Sequence, residues 1–213
     1  MTDDNSPGAA PLDQTDAELA ALLPRRSAGR IALWVAVFVV AVGVAAGLPS
    51  VLNPGITEGH SGRGAMVPGT PYMVSDYAGM ATDGMVPVDL VSVGRVSGAE
   101  VVGAWLASAD QAERAMDALP GPDAPRQQLD AAGVRELLGT ASMRPLPARV
   151  DGGDLIVLWR ITDCGALPDA DTPVPVTVRS LLGALRDQAV LPAMVAPVQD
   201  DVKELANLGM CPT

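Results

Sequence analysis

From residue 31 to 48 the chain reads IALWVAVFVVAVGVAAGL. These eighteen residues carry no charged side chain, and only the Trp34 indole can form a hydrogen bond. Extension through Pro49 and Ser50 to Leu52 gives 22 residues. At ~1.5 Å of rise per residue a helix of these lengths spans about 27 to 33 Å, which matches a hydrocarbon core of ~30 Å. A buried helix of a globular protein normally shows a polar stripe, and none is present here. The pattern therefore predicts a single transmembrane helix over 31–52. A cleaved signal peptide is the alternative, but its apolar region is normally ~7–15 residues long and its leading region short. Here about 30 residues precede the apolar run, so an uncleaved signal anchor fits better.

Charge predicts the orientation. Arg25, Arg26 and Arg30 lie just before the span, and the first basic residue after it is Arg63. This asymmetry places residues 1–30 in the cytoplasm as a short tail and the rest of the chain outside the cell membrane, with the lipid bilayer as partner of 31–52. The Arg25-Arg26 pair suggests twin-arginine export, yet Ser27, Ala28 and Gly29 lack the bulky apolar residues of such signals. Within the tail, Thr15 to Glu18 has the spacing of a capping box ahead of Leu19, Leu22 and Leu23, and Pro24 ends the run.

Beyond the span, residues 53–84 hold seven Gly and three Pro and read as a stalk. The folded part is expected over 85–213. The segments 85–96 and 101–106 are β-rich, and SADQAERAMDAL from Ser108 has a capping box with Gln111 and an amphipathic spacing. A second short helix is expected over 130–139. Residues 143–150 and 155–162 flank Asp151-Gly152-Gly153, the pattern of a β-hairpin. Val174, Val176 and Val178 alternate on a further strand, a turn at 182–185 leads into 186–191, and a last helix is expected from Pro197 to Gly209. The sum is a mainly β ectodomain, an immunoglobulin-like sandwich with two or three short helices, with an α+β ectodomain as the alternative.

Chemistry is sparse. Cys164 and Cys211 are the only cysteines, and in an oxidising space such a pair is expected to bridge. Two free thiols or a metal pair are the alternatives, but the lack of C-x-x-C spacing and of a nearby histidine argues against zinc. Asp169-Ala170-Asp171-Thr172 matches the DxDxT letters of haloacid-dehalogenase-type phosphatases but lacks the preceding buried strand, and the sole lysine, Lys203, is remote in sequence. His60 stands alone in a glycine-rich run. Met66, Met73, Met80 and Met85 could bind Cu(I) outside a membrane, though methionine more often fills apolar gaps. Asp200, Asp201 and Glu204 suit the start of a helix without any cation. No catalytic residue, cofactor or metal is therefore assigned. The formal net charge of −11 argues against nucleic acid as a partner.

The segment LIVLWRITDC, the following VPVTVRS strand and the C-terminal Cys211 resemble actinobacterial single-pass membrane and secreted proteins in which a Trp-containing strand runs into a half-cystine of a β-sandwich. The likeness covers residues 155–211. It implies an immunoglobulin-like sandwich and no particular activity, and Trp159 preceding the first cysteine departs from immunoglobulin domains proper. The expected function is a membrane-anchored extracytoplasmic module that binds or scaffolds a protein partner in the cell envelope. Two alternatives are a cell-envelope hydrolase using Asp169 and Asp171, and a transmembrane regulator acting through the cytoplasmic tail.

Overall fold

The computed structural model describes residues 28–52, 55–57, 62–82, 87–121, 124–126, 128–168, 172–192 and 211. The chain divides into two compact units, 1–45 and 46–213. The apolar run forms one helix, α1 (Ala28–Leu52), 25 residues long with no acidic residue in its first turn and no basic residue in its last. Its described side chains, 29–45, are all exposed, including Trp34 at 71% and Phe38 at 69%. Those residues account for about 25 Å of helix. Among the described residues no helix is long and apolar enough to cross a membrane. The span expected over 31–52 therefore does not follow from the fold itself.

The second unit is mainly β. A five-stranded antiparallel sheet has the order β2 (Arg63–Met66), β3 (Tyr72–Tyr77), β9 (Asp154–Ile161), β6 (Ala99–Ala107), β7 (Arg144–Pro145). A four-stranded antiparallel sheet has the order β11 (Leu185–Pro192), β10 (Pro173–Arg179), β5 (Asp89–Val93), β8 (Ala148–Arg149). A two-residue pair, β1 (Ile56–Thr57) with β4 (Ala81–Thr82), completes the strands among the described residues. Two helices, α2 (Ala109–Asp117) and α3 (Ala131–Leu137), lie after β6.

Alternation along β9 explains the layering. Leu155, Val157, Trp159 and Ile161 join Leu90, Val174, Val176 and Val178 in the core between the two sheets. Ile156 and Leu158 point the other way, into a second core with Ala112, Ala115, Val134 and Leu138 of the helical layer. The larger sheet is thus apolar on both faces, which is why LIVLW is a continuous hydrophobic run rather than an alternating one. The order of layers is sheet, sheet, helices: a β-sandwich with an α layer on its second face.

The local helix signals are realised. Ser108 accepts from the Gln111 N–H while the Gln111 side chain accepts from the Ser108 N–H, closing the capping box of α2. Asp130 accepts from the Gly133 N–H at 2.8 Å and starts α3. The β10–β11 turn expected at 182–185 is also present, running from Ser180 to Ala184. The final helix expected over 197–209 and the capping box in the tail lie outside the described residues.

Two expectations are corrected. The described residues of 53–84 do not form a stalk: β3 is buried at all six positions and pairs with β2 on one side and β9 on the other. Its polar residues are compensated from elsewhere in the chain. Ser75 accepts from the Trp159 indole N–H at 3.1 Å, and Asp76 is met by Arg63. Nor do 143–150 and 155–162 form a hairpin. Pro145 and Pro147 have no N–H for a ladder, and the segment breaks into β7, on the edge beside β6, and β8, in the other sheet beside β5. Asp151-Gly152-Gly153 is a turn, but it carries the chain from one sheet to the other. Gly153 has φ +95°, and a Cβ there would lie 2.3 Å from the Ala107 carbonyl oxygen.

Candidate functional site

Three places in the described domain combine charge with shape. The first is a buried carboxylate met by a half-exposed arginine. Arg63 and Asp76 face each other across β2 and β3, with Nε and Nη2 of Arg63 at 3.3 and 3.1 Å from Asp76 Oδ2. Asp76 is only 1% exposed and its Oδ1 has no hydrogen-bond partner. Asp76 opposes Ile156, so Asp154, two residues earlier on β9, shares its face; Asp154 Oδ1 accepts from the Gly79 N–H at 2.9 Å. Burial pushes the Asp76 carboxyl above its usual value of 3.8, and the negative charge of Asp154 adds to this, while the Arg63 hydrogen bond works against both. A carboxyl of this kind can hold a proton, but buried at 1% exposure it meets no solute. Its consequence is for stability.

The sign follows from linkage. A raised folded pKa means that the folded state binds the proton more tightly than the unfolded chain. The stabilisation is complete below the unfolded pKa and is lost as pH rises through the folded one. Asp76→Asn keeps an acceptor for Arg63 and removes the titration. The melting temperature of the parent is therefore expected to fall relative to that of Asp76→Asn as pH rises from about 4 towards neutrality. Parallel melting profiles from a pH series would sink this account.

The second place is an open groove of about 590 Å³ beside the start of α2, lined by Ser108, Gln111, Ser142, Arg144, Asp151 and Gly153 among others. Its polar groups satisfy one another. Gln111 Nε2 donates to the Ser142 carbonyl at 2.8 Å, and Arg144 grips Asp151 through two hydrogen bonds of 2.9 and 2.5 Å. The Arg144 hydrogen bond holds the Asp151 carboxyl below its ordinary range. These bonds hold Gln111 against Ser142 and Arg144 against Asp151.

The third place is the closed end of the β10–β11 hairpin. Pro87, Asp89, Arg149, Arg179, Ser180, Leu181 and Gly183 line a depression of about 140 Å³. Arg149 Nε lies 3.7 Å from Asp89 Oδ1. Beside it Leu181, Leu182 and Leu185 stand 64%, 72% and 61% exposed. Leucine is uncommon at turn positions, which favour Gly, Asn, Asp, Ser and Pro, so this end of the sheet is marked in both sequence and structure. Gly183 marks the turn in the sequence, and the leucines around it are the signal that sets this turn apart. For Arg63, Asp76 and Asp154 no local signal existed, because their partners sit on neighbouring strands.

Other chemistry has structural explanations. The β-bulge between Val101 and Gly103 frees the Val102 carbonyl from the ladder, and Arg135 Nη2 of α3 donates to it at 2.6 Å. The Arg135 guanidinium also lies 5.9 Å from the Trp105 ring centroid. Trp105 leans over Gly103, where a Cβ would lie 2.2 Å from the indole. Met73 and Met80 are buried in the core between the sheets and Met66 packs against it, so these three act as apolar filler.

Among the residues singled out from sequence, Cys164 and Cys211 are joined in a disulfide with Cα atoms 5.7 Å apart. Arg30 is exposed in α1, while Arg25, Arg26, His60, Met85, Asp169, Asp171, Asp200, Asp201 and Glu204 lie outside the described residues. Among the described residues no three His, Cys, Asp or Glu side chains converge to hold a metal ion. No protein-family model matches the chain, and no curated protein or solved structure matches it either.

Proposed function

We propose that this chain is a single-pass membrane protein, anchored by residues 31–52, that presents its disulfide-closed β-rich domain outside the membrane as a module for binding or scaffolding. The observation that carries the reading is the apolar helix, all of whose described side chains are exposed in the isolated chain. An all-round apolar helix needs an apolar solvent, and a bilayer supplies one. The helix backbone continues to Leu52, and 25 residues correspond to about 37 Å. The excess of Arg25, Arg26 and Arg30 on its N-terminal side favours a cytoplasmic N-terminus. The Cys164–Cys211 bond fits an oxidising exterior. The immunoglobulin-like reading and the resemblance to actinobacterial envelope proteins belong to this proposal as an architecture of two packed sheets, with the helical layer extra.

The test is fractionation of the full chain followed by proteolysis from outside intact cells. The protein is expected to stay in the membrane pellet through alkaline carbonate extraction and to lose its C-terminal domain to external protease. Release by carbonate, or protection of the domain until the cells are lysed, would overturn the reading.

A further inference from the structure

We propose that the closed end of the β10–β11 hairpin is a second, peripheral membrane contact: Leu181, Leu182 and Leu185 enter the interface of an anionic bilayer while Arg149, Arg179 and Arg186 meet its headgroup phosphates. The inference rests on the anchored reading above and extends it to the posture of the domain on its membrane.

Two observations support it. The first is the apolar tip itself. Three leucines are exposed within five residues, and the turn is internally hydrogen-bonded: Ser180 N–H to the Ala184 carbonyl at 2.8 Å, Gly183 N–H to the Ser180 carbonyl at 2.9 Å, and Ala184 N–H to Ser180 Oγ at 3.1 Å. The N–H groups of Ser180, Gly183 and Ala184 are thereby paired within the turn and are not stranded when the tip enters an apolar phase.

The second is charge. Beyond the apolar run, residues 53–213 carry 20 acidic against 11 basic side chains. Around the tip the balance reverses: Arg149, Arg179 and Arg186 stand against Asp89 and Asp187. Asp89 is already beside Arg149, and Asp187 accepts from Thr177 Oγ1 at 2.7 Å. A basic collar behind an apolar tip, on an otherwise acidic domain, complements a negatively charged bilayer surface.

The test uses the full chain reconstituted into vesicles of phosphatidylcholine alone or mixed with phosphatidylglycerol. Leu182→Cys, with the native disulfide kept oxidised, is labelled with an environment-sensitive fluorophore; Leu181→Cys serves as a second position and Glu113→Cys, on the exposed side of α2, as the control. In the mixed vesicles the emission at 182 is expected to shift to the blue and to be quenched by lipids bearing a nitroxide on the acyl chain. The label at 113 should do neither. Arg179→Gln together with Arg186→Gln should weaken the response to phosphatidylglycerol, and high salt should do the same. A water-like emission at 181 and 182 in vesicles that retain the protein overturns the tip proposal and leaves the anchor intact, as would a tip that faces a protein partner instead. Failure of the unlabelled chain to float with vesicles overturns the anchor reading itself.

Discussion

Trp159→Ala is expected to destabilise the domain by about 3–5 kcal/mol, the range for deleting a large buried side chain when the surroundings cannot collapse into the space. Trp159 is fully buried on the central strand β9, between β3 and β6, and its ring lies in the core between the sheets. Two effects add. The cavity opens between two sheets whose spacing is fixed by the remaining strands, so little relaxation is available. In addition Ser75, itself buried, loses the indole donor at 3.1 Å and is left with a hydroxyl in an apolar interior. Trp159→Phe separates the two, since it keeps most of the apolar volume and removes only the donor; its loss should be clearly smaller than that of the alanine variant. Urea titration of both variants is the check. A loss under about 1 kcal/mol for Trp159→Ala would mean that the inter-sheet core is not the main source of stability.

The same pair of residues shows why the sequence reads only partly. The run LIVLWRIT announces a strand by composition, and the caps at Ser108 and Asp130 announce helices through contacts made within four residues. These signals are local and survive translation into structure. Strand β3 has no such signal. YMVSDY lies among glycines and prolines, and its Ser75 and Asp76 look like linker polarity until Trp159 and Arg63 are known to meet them. The partner of Ser75 is 84 residues away. The segment around Pro145 and Pro147 fails for a related reason. The glycine pair at 152–153 correctly marks a turn, but which sheet each flank joins is decided by pairing with β5 and β6, far off in the chain. The leucine tip is visible as a mismatch between residue type and turn, whereas its basic collar depends on pairing that sets Arg149 and Arg179 on either side of Asp89 across the sheet. The mainly β character with short helices was therefore readable from periodicity, and the charged sites were not, because they are assembled from residues distant in sequence.

Opening the Cys164–Cys211 bond is expected to cost up to about 4 kcal/mol, the chain-entropy value for releasing a loop of this length. The two cysteines are 47 residues apart. Cys164 is buried where β9 runs into a short 3₁₀ turn, Cys164–Ala166, whose first N–H groups are partly held by the Asp163 side chain. Cys211 packs against the core between the sheets. The bond thus fastens Cys211 to the end of the central strand β9. Cys164→Ala, Cys211→Ala and the double variant open the same loop, so their unfolding midpoints should agree closely, and chemical reduction of the parent should reproduce them. Unequal single variants would instead assign the loss to packing at one sulfur. A reduced protein within about 1 kcal/mol of the oxidised one would show that the crosslink does not constrain the unfolded chain as this model requires. A loss near 4 kcal/mol is a large share of the ~5–15 kcal/mol that holds an ordinary domain together. A fold so dependent on one bond keeps its stability only where thiols stay oxidised, and the proposed exterior of the membrane is such a place.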